Sequence, residues 1–268
     1  MSDAEDIDRI PTHVTEVRRV SDLTAGVRRL TVAGGLERYR SAGPDSFVHV
    51  LLPPPGRTEL TIGSDFSWTA CFAMADDERP VGAYYTVRHH RPDDDEIDLD
   101  VVLHDDAGPA SGWAAVAAPG DPVALWGPRT TYRPAEGTDD LLLLADDTGL
   151  PALCAIAESL TADQRARAIV EVADEGEEQA IDSAAAVEVT WLHRNGTPPG
   201  RFRGLVDAVH GLAPTSPEAY VWGGGESRLM TEIRKHVRRT WGLPREQVSL
   251  TPYWRHADSP VPSEDDDE

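Results

Sequence analysis

Lysine is nearly absent from this chain. Lys235 is the only one, and the other 24 of 25 basic side chains are arginine. Biased coding or a salt-rich host accounts for that bias without invoking a site. Basic charge is scarce altogether: 47 acidic residues leave a net charge of −22 over 268 residues. Phosphate repulsion at that charge excludes nucleic acid as the expected partner, and anionic membrane surfaces with it. Cysteine is limited to Cys71 and Cys154. Two isolated thiols among apolar neighbours make neither a disulfide framework nor a C-x-x-C pair, so both are expected to be buried and reduced. No apolar run approaches the ~20 residues of a membrane-spanning helix. The opening MSDAEDIDRI has no apolar core of a signal peptide. A cytoplasmic chain with no stable membrane insertion is expected. Several chemical motifs are missing too. There is no G-x-S-x-G elbow, no G-x-G-x-x-G, and no Lys-Ser/Thr pair of a phosphate loop. His89 and His90 are adjacent, so on a strand they face opposite ways and cannot chelate together.

What is present falls into two halves between polar ends. Residues 1–11 read as a mobile acidic N-terminus and 259–268 as a disordered acidic tail. From 12 to 132 the pattern is one of short strands. VTEVRRV and VRRLTV are β-branched, FVHVLLP stops at a proline, and GDPVALWGP is bounded by turn residues. In EIDLDVVLH, Ile97, Leu99 and Val101 alternate with Asp98 and Asp100. That period of two predicts an antiparallel strand with one face in the core and one in water. PASGWAAVA predicts one short helix, and the whole reads as a small antiparallel barrel.

The character changes across RPAEGTDD, residues 133–140. From 138 to 256 strands alternate with helices, which implies a parallel α/β sheet. LLLLA at 141–145 has the unbroken apolarity of a strand covered on both faces. Strands are expected at 168–172, 187–192, 219–222 and 247–253. Helices are expected from 151, around 202–212 and over 226–241.

Three stretches could carry chemistry. Asp146, Asp147 and Thr148 follow the first α/β strand, at the carboxyl edge where such sheets bind ligands. Ordinary helix capping explains them equally well. Gly223, Gly224 and Gly225 follow an apolar strand and precede a long amphipathic helix, so a ligand could approach the backbone and an anion the helix start. A tight turn would need one glycine more readily than three. His104, Gly108, Ala110 and Ser111 lie where a strand meets a helix, and exposed N–H groups there could hold a pyrophosphate. Taken singly, His104 is a loop histidine and Ser111 a capping hydroxyl.

In order along the chain, six stretches together resemble the siderophore-interacting proteins, flavin-dependent ferric-siderophore reductases of the ferredoxin-reductase type. They are DFSWTACFAMADDERPVGAYYTVR, IDLDVVLHDDAGPASGWAA, ADDTGLPAL, VTWLHR, YVWGGGES and PYWR. The resemblance implies an FAD-binding barrel over 12–132 and an NAD(P)H-binding α/β domain over 138–256. It implies an enzyme taking electrons from NADPH or NADH through FAD to a ferric siderophore, releasing Fe(II), and working as a monomer. Tyr85 and Thr86 match the flavin-contacting Tyr-Thr, with Val87 and Arg88 in the same strand. Tyr84, Thr86 and Arg88 should point one way, Tyr85 and Val87 the other. His104, Gly108, Ala110 and Ser111 match the flavin-phosphate loop. Asp146 and Thr148 match the first nicotinamide-nucleotide loop, and Gly224, Gly225 and Glu226 the second. Arg194, at the end of VTWLHR, is the candidate for a 2′-phosphate contact, with Arg228 as the alternative. His49 and Arg255 are the candidates for a cationic siderophore pocket, His49 gaining charge as pH falls through roughly 6.5.

The chain departs from the family pattern at Ala83, where an arginine normally meets the flavin phosphates. That loss should weaken FAD binding roughly ten- to hundredfold. It keeps a second reading open: a flavin-poor siderophore-binding protein of the same fold, without reductase activity of its own. A generic flavin reductase is a third reading and differs only in substrate.

Overall fold

The computed structural model describes residues 10–104, 108–214 and 216–257. The acidic tail expected at 259–268 lies outside the described residues, as does all of the expected mobile N-terminus except residues 10 and 11. The chain forms two compact units that divide between Thr130 and Thr131.

The first unit is an antiparallel seven-stranded sheet. Its strands are β1 (Thr12–Asp22), β2 (Val27–Ala33), β3 (Phe47–Leu52), β4 (Val81–Thr86), β5 (His89–Arg91), β6 (Glu96–Val102) and β7 (Pro122–Arg129). Their spatial order is β4-β3-β7-β1-β2-β6-β5. The two edge strands follow each other in sequence, and the link between them closes the sheet. Val87 N–H bonds to Ser46 O at 2.7 Å on one side, and Arg88 N–H to Asp98 O at 2.8 Å on the other. Leu30, Val48, Val50, Ile97, Leu99 and Leu125 fill the interior. Helix α1 (Trp68–Ala73), which the sequence pattern did not reveal, is capped by Ser67 Oγ accepting from Ala70 N–H at 3.1 Å. Helix α2 (Pro109–Val116) follows β6.

β6 corrects one expectation. Its alternation is real, but the polar face is not in water: Glu96, Asp98 and Asp100 are 4%, 3% and 4% exposed. Arginines from neighbouring strands cover them. Arg19 grips Glu96 through two bonds of 2.9 Å. Arg91 spans Asp98 at 2.7 Å and Glu96 at 3.0 Å. Arg29 holds Asp100 at 2.6 and 2.8 Å, and Thr31 Oγ1 donates to Asp98 at 2.7 Å. Burial alone would raise the Asp98 carboxyl, but the hydrogen bonds from Arg91, His89 and Thr31 hold it far below the usual carboxylate range. Buried carboxylates persist only when their lone pairs are satisfied in this way.

The second unit is a parallel sheet of β8 (Asp140–Ala145), β9 (Arg165–Val172), β10 (Ala186–His193), β11 (Tyr220–Glu226) and β12 (Val248–Trp254), in the order β10-β9-β8-β11-β12. Helix α3 (Leu150–Ser159) lies on one face; α4 (Gly204–His210) and α5 (Ser227–Arg239) lie on the other. The run of leucines splits between them. Leu141 and Leu143 pack with Leu153 and Ile156 of α3, while Leu142 and Leu144 pack with Val206, Leu229 and Ile233. This is why the strand reads as unbroken apolar sequence. Cys71 and Cys154 are buried and form no disulfide among the described residues. Among the described residues no helix is long and apolar enough to cross a membrane.

Candidate functional site

In the first unit the candidate residues gather along β4. Val81, Ala83 and Tyr85 pack against the barrel core together with Trp113 of α2. Burial of the Tyr85 phenol pushes its pKa up to about 12, so it stays neutral. Val87 is 5% exposed within the same core and its N–H is taken by Ser46 O, so its role is structural. Tyr84 turns to the other face, half exposed, with its ring 4.6 Å from His49. Thr86 is 5% exposed, and its Oγ1 is buried with no hydrogen-bond partner among the described residues. A buried hydroxyl left unpaired costs about 1–3 kcal/mol, and a bound group that completes it recovers that energy. Arg88, 9% exposed, is drawn into the β6 carboxylates, with Nε 4.0 Å from Asp100.

At the start of α2, Gly108 is the cap residue. Ser111 Oγ donates to Val102 O at 3.2 Å and accepts from His104 N–H at 3.3 Å. The hydroxyl expected to hold phosphate therefore staples β6 to α2. The first-turn N–H groups of Ala110 and Ser111 are left as the anion donors, since a helix start gives them no intrahelical partner. The Ala110 side chain is buried and the His104 side chain exposed. A cavity of about 570 Å³ opens nearby, lined by Leu52, Val81, Trp113 and Arg57 among others. An unpaired Thr86 hydroxyl, the Tyr85 ring, a helix start with no side-chain cap among the described residues and this cavity fit the flavin expected there.

His49 is not a titrating cation. Its ring is wedged edge-on between Tyr84 and Trp68, with the Trp68 centroid 5.2 Å away. Burial pushes its pKa down to about 4, so a fall through pH 6.5 adds no charge there. The exposed cation beside it is Arg129 of β7, whose guanidinium lies 5.5 Å from the Phe47 ring and 6.0 Å from that of Tyr84. Sequence reading missed Arg129, because a strand-end arginine carries no signal of its own. Arg255 is exposed, just beyond β12 in the second unit.

In the second unit the strand order reverses between β8 and β11, the crevice where open α/β sheets bind ligands. Asp146 lies there but is fully engaged. Its Oδ1 accepts from Thr148 N–H (2.9 Å), Thr148 Oγ1–H (2.6 Å) and Gly149 N–H (3.3 Å). Its Oδ2 accepts from Glu226 N–H at 2.9 Å and Trp254 Nε1–H at 2.8 Å. Asp146 and Thr148 thus shape the crevice rather than offer free groups. The three glycines are strand residues of β11, not a turn. A Cβ on Gly224 would stand 2.9 Å from the Tyr253 ring, and one on Gly225 would stand 2.8 Å from Asp146 Oδ2. Glu226 is wholly buried and caps α5, its Oε2 accepting from Arg228 N–H at 2.7 Å and Leu229 N–H at 3.1 Å. That helix start is filled by the chain's own carboxylate, which corrects the expectation of an anion site there.

Arg194 is likewise committed. It is 7% exposed, with Nη2 2.6 Å from Asp147 Oδ2 and Nη1 3.6 Å from Glu171 Oε1. Burial raises Asp147 to about 6 despite Arg194, and raises Glu171 to about 8 with help from the Asp146 charge. A guanidinium held between the half-buried Asp147 and the buried Glu171 carboxyl groups is not presented to a 2′-phosphate. Asp147 comes from the turn after β8 and Glu171 from β9, so spacing along the chain could not pair them with Arg194. The alternative, Arg228, donates from Nη2 to Gly200 O at 2.9 Å.

Comparison with known proteins places these two units. Residues 16–132 match the model for a siderophore-interacting FAD-binding domain, and residues 138–257 match that for a siderophore-interacting protein. A siderophore utilization protein from T. fusca has a solved structure that aligns at a TM-score of 0.81 and 30% identity, over 94% of this chain and 95% of that one. Ferric vibriobactin reductase ViuB of Vibrio cholerae is 25% identical over 259 residues, 94% of this chain and 92% of the relative. An uncharacterized protein of Mycobacterium tuberculosis is 35% identical over 187 residues. That match spans 66% of either chain, a little under two thirds of the relative's length.

Proposed function

The chain belongs to the siderophore-interacting protein family, and on that premise we propose that it is a ferric-siderophore reductase, passing electrons from NADPH or NADH through FAD to siderophore-bound Fe(III) and releasing Fe(II) in the cytoplasm. Bound there, FAD would supply the conversion between the two-electron nicotinamide donor and one-electron reduction of iron, which is substrate and not a resident metal. The chain supplies position. Tyr85 offers a flat neutral face, and Thr86 Oγ1 the hydrogen bond to the ring system. The N–H groups of Ala110 and Ser111, at the start of α2, would hold the phosphates. Gly224 and Gly225 keep the β11 end bare of side chains, and Asp146 fixes that end in place. Arg129 gives a cation on an aromatic surface for an anionic chelate, with His49 as its neutral packing partner. Arg255 is a second candidate cation for the chelate.

The observation that carries this reading is the unpaired, buried Thr86 hydroxyl on the strand that presents Tyr85. The test is anaerobic addition of NADH or NADPH to FAD-loaded protein, followed by a ferric siderophore, with Fe(II) trapped by a chromogenic chelator. Bleaching of the flavin band, then reoxidation with Fe(II) release, is expected. Thr86→Val should weaken FAD binding while leaving the fold intact. A protein that holds FAD but is reduced by neither nucleotide would overturn the reductase. Ala83 specifically favours a second reading, a flavin-poor binder of ferric siderophores. That reading predicts siderophore affinity with no flavin retained at micromolar protein.

A further inference from the structure

Ala83 stands where the resemblance implies an arginine on the flavin phosphates, yet the cavity beside its strand has an arginine of its own. That cavity, of about 570 Å³, is lined by Leu52 and Val81, by the loop 53–58 that includes Pro54 and Arg57, by Trp113 of α2 and by Asp121. Leu52 and Val81 are partners across β3 and β4, at the end of the strand pair away from Thr86. Ala83 is two residues from Val81 and packs on the same core with it and with Tyr85. Thr86 lies five positions beyond Val81, about 17 Å of strand. That spacing suits an extended dinucleotide, with its ring system at Tyr85 and Thr86 and its far nucleoside at Val81.

The lining suits that nucleoside. Pro54 is buried, and Trp113 is half-buried. A proline ring and an indole are rigid apolar faces for a flat base, and a loop opening on three consecutive prolines loses little freedom on ordering. Asp121 Oδ2 accepts from Ala118 N–H at 2.9 Å, which leaves the other oxygen for a sugar hydroxyl. Arg57 is held only loosely. Its Nη2 lies 3.4 Å from Asp77 Oδ2 and 3.9 Å from Glu78 Oε1, and those two carboxylate side chains are 81% and 53% exposed. Pairs of that kind contribute little and give way to a better partner. Arg19, Arg29 and Arg91 of the same unit are committed instead to buried carboxylates.

We propose that this cavity seats the AMP half of FAD, its adenine against Trp113 and the Pro54 wall, and that Arg57 meets the AMP phosphate in place of the arginine missing at Ala83. The inference rests on the FAD reading above and names what in this chain selects FAD over FMN. Arg57 exchanges two solvated carboxylates for one phosphate beside apolar walls, where its charge is screened less.

The experiment uses the full-length chain stripped of flavin, titrated separately with FAD and with FMN and followed by flavin fluorescence. FMN carries the same ring system and lacks the AMP half. FAD should bind at least about tenfold more tightly than FMN. Arg57→Ala should weaken FAD about tenfold and FMN less than about twofold, and Arg57→Lys should recover part of the loss. In the Ala83→Arg background, Arg57→Ala should cost under about threefold, because the phosphates already have a cation. Added salt should weaken FAD binding more in the unchanged protein than in Arg57→Ala. Arg57 lies on an exposed loop, and an unchanged Tm of the apoprotein verifies that the variants report on binding. Equal affinities for FAD and FMN, an Arg57→Ala loss of the same size for both flavins, or the same loss in both backgrounds would overturn the inference while leaving flavin binding in place. A chain that binds neither flavin would instead remove the FAD reading, and this inference with it.

Discussion

Trp254 Nε1–H donates to Asp146 Oδ2 at 2.8 Å, tying the last strand of the α/β sheet to the end of its first. The same carboxylate also receives the Glu226 amide, so one side chain fastens the ends of β8, β11 and β12. Trp254→Phe removes one bond to a charged acceptor and should cost about 1.5–3 kcal/mol. Asp146→Ala strands several buried donors and should cost more, roughly 3–5 kcal/mol. Urea unfolding measures both. A nucleotide-binding aspartate would instead raise KM for the donor and leave stability untouched.

Glu171 makes stability depend on pH in an unusual direction. Its carboxyl is raised from 4.5 to about 8 by burial and by the nearby Asp146 charge. The folded state therefore holds that proton more tightly than the unfolded chain does. Its contribution is fully present below about pH 4.5 and is lost as pH rises toward 8. Stability should decline over that window, by an amount on the order of a few kcal/mol. Glu171→Gln keeps the neutral shape and should flatten the decline. Parallel slopes for the two proteins in pH-dependent unfolding would refute the assignment.

Arg194→Ala should act on folding rather than on donor choice. It leaves the half-buried Asp147 and the buried Glu171 without the cation that lies 2.6 and 3.6 Å from them. Breaking one side of a buried pair costs about 3–5 kcal/mol. The NADPH to NADH ratio of kcat/KM should stay within about twofold of the unchanged protein, a difference under ~0.5 kcal/mol. A selective loss with NADPH would return Arg194 to the nucleotide.

Ala83→Arg should tighten FAD binding. The position lies on the β4 face shared by Val81 and Tyr85, beside the cavity lined by Trp113. A charge-assisted bond to flavin phosphate is worth about 1.5–3 kcal/mol, or roughly ten- to hundredfold in Kd. Titration of the apoprotein followed by flavin fluorescence measures it. An unchanged Kd would mean that the phosphates lie elsewhere.

The two halves of the fold were legible because local patterns carry them. Ile97, Leu99 and Val101 announced a strand, and four consecutive leucines announced one covered on both faces. What stayed hidden depends on partners distant in sequence. Asp98 and Asp100 read as solvated because Thr31 and Arg29, 67 and 71 residues away, are not visible from them. Resemblance grouped the candidate site residues, but the bonds they make within the fold were not legible. Glu226, Ser111 and Asp146 all turn inward to hold the backbone that a ligand would meet. His49 was misread as a switch because burial against Tyr84 and Trp68 has no signature in a lone histidine.

The arginine-covered face of β6 also bears on how the barrel closes. Strand pairing has a two-residue period, so a slip of one position exchanges the faces. In most sheets such a slip only exposes oil to water. Here it would also drive Glu96, Asp98 and Asp100 into the apolar interior and set Ile97, Leu99 and Val101 beneath four guanidinium groups. Misalignment is penalised twice over, and the ionic face works as a key that fits a single alignment. A barrel whose edge strands β4 and β5 are consecutive in the chain has little slack at closure, and that key selects the one register in which Tyr85 and Thr86 stand where a flavin would meet them.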